Sequence, residues 1–356
     1  MSTDANAGDK EAEATMAQRQ SEGSLPTMDD VARAAGVSQK TVSRVINNEP
    51  NVRPGVRERV LEHAKQLGYR RNDLAAALTA PKRGRTIGVL IEDLSDPFWA
   101  TMVAGIEDAV RPEHYSLLIA SSREDAVLER GEIELFLSRR VDGVLVVPSS
   151  SDHAYLRPDI ERGTPFVFVD RPATNIAVDT VLVAHAEGAR AATEHLIAHG
   201  HSAIAYVGHD AHIFTGAERR RGFDEALASA GIAPNPSHIR TDVTDIESAR
   251  IATRELLARE DAPTAIFADN NRATIGVVTA IEDFLHSSVA VVGFDDFELA
   301  ASLGITVVTH DAQVLGRAAV DRLFARLAGS GEAAKQLILP TTVVPRGSGE
   351  RRPGRR

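Results

Sequence analysis

The sequence contains no cysteine at all. That single absence removes disulfides, thiolate metal sites and cysteine nucleophiles together. No run of roughly 18 consecutive apolar residues occurs, so no transmembrane helix and no membrane partner are expected. The opening stretch MSTDANAGDKEAEATMAQRQSEGS holds no apolar segment of the signal-peptide kind, which points to the cytoplasm. Loops that carry phosphate or acyl chemistry are missing too. There is no GxGxxG, no phosphate-binding Gly-Lys-Ser/Thr and no GxSxG elbow, so neither a nucleotide cofactor nor hydrolase chemistry has support, and no cofactor is expected. No repeat of 20 to 50 residues is visible. The ending RGSGERRPGRR is broken by Gly and Pro and cannot form a coiled coil.

What the chain does hold is the composition of ordinary soluble cores: 356 residues, 43% hydrophobic and 25% charged. At about 150 residues per domain, the length fits two or three domains. The net charge of −10 conceals a split. Residues 25–83 carry 11 Lys/Arg against 6 Asp/Glu, a net of +5, whereas residues 1–24 hold −3 and the remainder −12. A small basic segment on a large acidic body suggests nucleic-acid contact by the basic part alone.

Residues 1–24 have no hydrophobic period and read as a disordered tail. Three short helices then follow. Thr27 and Asp30 form a capping-box-like start, Val31, Ala32 and Ala35 supply an apolar stripe, and Gly36 stops the first helix. Ser38 caps a second helix that buries Val42, Val45 and Ile46, leaving Gln39, Lys40, Thr41 and Arg44 on or near the outer face. The third runs from Pro54 to Leu67, with Gly68 as its stop. From Thr86 the texture changes to apolar runs alternating with amphipathic stretches: TIGVLIE, YSLLIAS, DGVLVVP, PFVFVD, SAIAYVG, TAIFADN and VAVVGFD. Strands apolar on both faces and separated by helices indicate parallel sheets covered on both sides, here in two α/β halves. Ligands on such sheets favour the carboxyl ends of the strands.

The stretch DVARAAGVSQKTVSRVINN followed by VRERVLEHAKQLGY closely resembles the N-terminal headpiece of the lactose-repressor (LacI) family of bacterial transcription regulators. The resemblance implies a helix-turn-helix domain over residues 25–70 whose second helix lies in the major groove. Its base-reading positions fall on Gln39, Lys40 and Arg44, residue types that can address guanine or adenine edges. Its phosphate-holding positions fall on Ser38, Thr41 and Asn47. Residues 71–84 then resemble the family's hinge helix, whose minor-groove wedge matches Leu78. Arg71 stands where the family usually has Pro before Asn72.

The likeness continues over the body, residues 85–346, through DLSDPFWATMVAGIEDA, VFVDRP, ERRRGFDEALASAGI and VVGFDDFELA. These look like the periplasmic-binding-protein-like core of two parallel-sheet subdomains that the family uses as a sensor. Carried over position by position, the effector-binding residues would be Phe98, Trp99, Asp170, Arg219, Asn270 and Asp295. Aromatic faces with carboxylates and a guanidinium suit a sugar or sugar derivative, with a nucleoside or purine corepressor as the alternative. Three local departures stand out: Asn270-Asn271 after Asp269 in place of an Asn-Asp pair, a shortened link HSS before VAVVGFD, and His310 near a usual Gln position. The residues alone also fit plainer roles. Leu78, Phe98 and Trp99 could be core, Asp295 a loop cap, and Arg219 with its two arginine neighbours a solvated face.

His195 and His199 lie four apart on a helix, with His201 following, but no Glu follows the first His in the metalloprotease manner, so no metal is expected. The reading is therefore a cytoplasmic homodimer, not an enzyme, that binds palindromic double-stranded operator DNA under control of a small molecule, as inducer or corepressor. A solute-binding protein would need a signal peptide and no basic headpiece. An enzyme would need a catalytic pair at the strand ends. Residues 347–356 are expected to be a basic, flexible tail.

Overall fold

The computed structural model describes residues 26–46, 49–50, 52–69, 85–210, 212–283 and 288–354. The chain falls into two compact units, Met1–Lys82 and Arg83–Arg356. In the first, helix α1 (Met28–Ala35) starts at Thr27, whose hydroxyl accepts from the Asp30 amide while the Asp30 carboxylate accepts from the Thr27 amide at 2.9 Å. Two orphan amides of the first turn are thereby satisfied. Gly36 closes the helix at φ +63, a left-handed conformation that side-chain-bearing residues resist. Helices α2 (Gln39–Ile46) and α3 (Pro54–Gln66) complete the bundle. Val31, Ala35, Val42, Val45, Val60 and Ala64 meet in its core, and Ile46 is half-buried at the edge.

The second unit holds two six-stranded sheets. In sheet 1 the strands are β1 (Thr86–Ile91), β2 (Ser116–Ser121), β3 (Gly143–Val146), β4 (Phe166–Val169), β5 (Asp179–Val183) and β11 (Gln336–Leu339), in spatial order β11-β5-β4-β3-β1-β2 and all parallel. Sheet 2 repeats the plan with β6 (Ile204–Val207), β7 (Ile239–Arg240), β8 (Ala265–Ala268), β9 (Ala290–Phe294), β10 (Thr306–Thr309) and β12 (Thr342–Val344), in order β12-β10-β9-β8-β6-β7. Only β12 runs antiparallel to its neighbour. The chain passes between the two halves after β5, after β10 and again between β11 and β12.

Helices cover both faces of each sheet, which is why the central strands are buried along their whole length. On sheet 1, α4 (Pro97–Val110) and α11 (Ala312–Leu327) share one face, while α5 (Ala126–Ser138) and the short α6 (Arg157–Glu161) take the other. On sheet 2, α7 (His185–Ala198) and α8 (Phe214–Ser229) face α9 (Ile246–Leu257) and α10 (Asn271–Asp283) across the strands. The α4–α11 crossing is close because Gly105 and Gly316 sit at it. A Cβ on Gly316 would lie 2.3 Å from the Met102 carbonyl oxygen, and one on Gly105 2.4 Å from that of Gln313.

The chain end departs from the sequence expectation of a flexible basic tail. Residues 346–351 are strapped along sheet 2. Ser348 is buried, donating from Oγ to the Val291 carbonyl at 2.6 Å and accepting from the Thr306 amide at 2.8 Å. Arg346 forms a paired contact with Asp296 at 2.6 and 2.7 Å. Glu350 accepts from Thr306 Oγ1 at 3.1 Å and pairs with His195, and the Arg351 carbonyl receives His201 Nε2 at 2.7 Å. The expectation weighed the Gly content and the charge. It missed that this backbone supplies partners for polar groups at the margin of sheet 2, and that its charges have places to go.

Candidate functional site

In the headpiece, Val42 and Val45 point α2 into the bundle core, which turns Gln39, Lys40 and Arg44 outward to solvent. Ser38 Oγ accepts from the Thr41 amide at 3.2 Å and lies 2.9 Å from Thr41 Oγ1, so both hydroxyls mark the helix start. The first turn of α2 carries no acidic residue, leaving the positive end of the helix dipole free for an anion. Arg44 Nε is 3.6 Å from Glu49 Oε2, with both side chains about half exposed. Such a contact is weak and easily exchanged for another acceptor. Asn47 and the whole hinge stretch, Arg71 and Leu78 included, lie outside the described residues.

In the body, Phe98, Trp99, Asp170, Arg219, Asn270 and Asp295 all line one cavity between the carboxyl ends of the two sheets. They come from the first turn of α4, from the ends of β4, β8 and β9, and from α8. Trp99 is also part of the core beneath sheet 1. Phe98 is half-buried, edge-on to Trp99 with ring centroids 4.7 Å apart and to His310 at 5.3 Å. Arg219 lies over the Phe294 ring at 4.0 Å, donates to the Asp269 carbonyl at 2.5 Å and reaches Asp295 Oδ2 at 3.3 Å.

Asp170 and Asp295 hold equivalent places. Each follows the third strand in from the β11 or β12 edge, each has positive φ (68° and 67°), and each amide donates to the adjacent strand, to Val181 at 2.8 Å and Val308 at 2.9 Å. The turn out of the strand thus aims both buried carboxylates into the cleft. Their neighbours differ. Burial alone would raise the Asp170 carboxyl, but His185 Nε2 at 3.2 Å and the charges of Arg171 and Arg219 hold it well below the usual carboxylate range. Asp295 is pushed up to about 7 by burial, reinforced by Asp170, Asp96 and Asp269, which outweigh Arg219.

Sequence reasoning missed several cavity residues: Glu92, Asp96, Arg171, His209, Asn271 and Arg272. Glu92 and Arg171 end the TIGVLIE run and follow the VFVD run, so the strand-end rule alone would have flagged them. Arg171 is buried between Glu124 (2.5 and 2.8 Å) and Glu92 (2.7 Å). Burial and the Glu124 charge push Glu92 up to about 8. From the opposite half, Asn271 donates to Asp96 Oδ1 at 2.8 Å and Arg272 to Asp93 Oδ2 at 2.6 Å and Ser95 Oγ at 2.9 Å. The starts of α4 and α10 are therefore tied across the cleft. These links and the Arg219 pair leave about 50 Å³ open, room for a water or two against the several hundred of a ligand pocket. His310, singled out above only for its sequence position, is buried with neither ring nitrogen hydrogen-bonded, and burial lowers it to about 4.

Residues 84–345 match the model of periplasmic binding proteins and the sugar binding domain of the LacI family, and residues 27–72 match that of the lacI family of bacterial regulatory proteins. The chain is 34% identical over 325 residues to the HTH-type transcriptional regulator GalS of Salmonella typhimurium, covering 89% of this chain and 95% of that protein. It superposes on the Lac repressor dimer bound to operator and the anti-inducer ONPF with a TM-score of 0.80 at 26% identity, over 92% of this chain and 99% of that one. For the transcriptional regulator CelR in complex with cellobiose the TM-score is 0.67 at 29% identity, over 91% and 99%. With both matched regions in their expected order along nearly the whole length, the chain belongs to the lacI family of bacterial regulatory proteins.

Proposed function

We propose that this protein is a cytoplasmic, dimeric transcription regulator that grips operator DNA through its headpiece and is controlled by a small molecule held in the cleft. The observation that carries the effector half is the convergence of Phe98, Trp99, Asp170, Arg219, Asn270 and Asp295, distant in sequence, on one cavity. Aromatic edges beside carboxylates and a guanidinium suit a hydroxyl-rich ring. The ligand in this reading is a sugar or sugar derivative. Entering the cleft requires the Asn271–Asp96 and Arg272–Asp93 links to part, so occupancy and the spacing of the two halves are one equilibrium. The hinge segment 71–84 leads directly into β1 of the first half. A ligand that prefers one spacing shifts operator affinity, and DNA must shift ligand affinity by the same factor.

In the headpiece, Gln39, Lys40 and Arg44 read base edges in the major groove, while Ser38, Thr41 and Asn47 hold phosphates and Leu78 wedges the minor groove. Two headpieces on a two-fold axis read a palindromic site. Selection of bound sequences from a random duplex pool, with and without sugars, tests the whole reading, and a flat selection in every condition defeats it. On the selected operator, Arg44→Ala should weaken binding by about 1–3 kcal/mol and relax preference at one base pair. An equal loss on every sequence would reduce Arg44 to a phosphate contact.

A further inference from the structure

Taking the cleft as the effector site, we propose that its ligand is a polyhydroxylated molecule bearing a protonated amine, an amino sugar or aminocyclitol, and that sugar phosphates are excluded. The argument starts from charge. Glu92, Asp96, Asp170 and Asp295 line the cavity, with Glu124 and Asp269 behind them. The guanidiniums that line it are Arg171, Arg219 and Arg272, and each is already committed to a carboxylate: Arg171 to Glu124 and Glu92, Arg219 to Asp295, Arg272 to Asp93. The buried histidines add no positive charge, since burial lowers both His185 and His310. A phosphate would meet carboxylates already in excess and no lining guanidinium without a partner.

Acceptors, by contrast, are in surplus. Asp295 Oδ1 is buried without a hydrogen bond, with His310 Nδ1 3.8 Å from it. Asp170 Oδ1 likewise makes none, having only His185 Nε2 at 3.2 Å outside hydrogen-bond geometry. Both oxygens belong to the paired strand-end aspartates and call for donors. Hydroxyls supply donors, and an ammonium supplies donors with the compensating charge. The protons are consistent with this. Glu92, facing Glu124, Arg171, Asp170 and Arg272, is pushed up to about 8, and Asp295, facing Arg219, Asp170, Asp96, Asp269 and His310, to about 7. Near pH 7 Glu92 carries its proton in place of a cation, while Asp295, close to its midpoint, still serves Arg219 as a carboxylate partner. Binding R–NH3⁺ beside Glu92 leaves an ammonium–carboxylate pair and releases the carboxyl proton to the buffer.

Titration calorimetry on the full chain near pH 7, in two buffers of different ionisation enthalpy, tests this with matched sets: glucose, glucosamine and glucose 6-phosphate, then the galactose and mannose equivalents. In at least one set the amine should bind about tenfold tighter than its parent, the difference between a neutral and a charge-assisted hydrogen bond, with net proton release, and the phosphate should not bind. Glu92→Gln should cancel most of that advantage and the proton release, so that amine and parent sugar bind alike. Parent sugars binding as tightly as their amines, or a phosphate binding best, overturns the amine but leaves the effector cleft standing. Silence from every set removes the cleft reading and this proposal with it.

Discussion

Asp170 and Asp295 show how little backbone geometry says about a side chain's charge. Their φ angles agree within a degree and their amides make the same strand contact, yet one carboxyl is driven down and the other up to about 7. Both are buried, and the difference comes from their neighbours: His185 and two guanidiniums at Asp170, against one guanidinium and three further carboxylates at Asp295. The consequence for stability has a definite sign. A carboxyl raised in the folded state binds its proton more tightly there, so its contribution is full below the unfolded pKa near 4 and is lost as pH rises through the folded value. For Asp295 and Glu92 that loss falls between about pH 4 and 8. Asp170 and Asp93, both lowered, act the opposite way, and their contribution disappears only as pH falls through the acid range. Melting temperature should therefore fall by several degrees from about pH 5 to 9, and the double substitution Glu92→Gln, Asp295→Asn should flatten the curve. Parallel curves for the two proteins would contradict the assignment. The six cleft residues named from resemblance could be placed from sequence because each sits in a recognisable family motif, Asp170, Asn270 and Asp295 after strands and Phe98, Trp99 and Arg219 on helices. Asn271, Arg272 and His310 could not, because their importance arises from partners nearly two hundred residues away or from burial that no local pattern encodes.

At the level of elements, legibility followed burial. The seven apolar runs named from sequence correspond to β1, β2, β3, β4, β6, β8 and β9, most of them interior strands whose neighbours cover both faces. The strands that went unnamed are β5, β7, β10, β11 and β12. Several are short or lie at sheet edges, and β11 exposes three of its four residues, so apolar continuity gives no signal there. β5 hid for another reason. It begins with Asp179, a buried carboxylate that interrupts the apolar run and is held by Arg326 at 2.8 and 2.9 Å and Arg322 at 3.1 Å. Helix–helix spacing was equally invisible, since a glycine in an amphipathic stretch does not declare which backbone approaches it. Gly316→Ala should force α4 and α11 apart, because the new methyl would meet the Met102 carbonyl and Ile106, backbone and core that cannot swing away. A loss of about 1–3 kcal/mol in denaturant unfolding is expected. Gly331→Ala, with open space at its Cβ, should cost far less and serves as the control.

On the scale of the whole molecule, composition misjudged the chain end. Gly-rich and basic, residues 346–351 nevertheless close the margin of sheet 2, where Ser348 satisfies Val291 and Thr306 and Glu350 pairs with His195. Deleting residues 346–356 leaves those buried groups without partners, at about 1–3 kcal/mol for each that water cannot reach. The truncated protein should melt several degrees below the full chain. An unchanged melting temperature would restore the flexible-tail reading.

The three passages of the chain between halves also govern how the protein can be made. Sheet 1 begins at Thr86 and has five strands by Val183, but its sixth, β11, is not translated until residue 336, and α11, which covers one of its faces, only from residue 312. At roughly 5–20 residues per second, a ribosome leaves that apolar face covered by α4 alone for about seven to thirty seconds. An apolar face half-covered for that long is a surface chaperones can hold until α11 and β11 emerge.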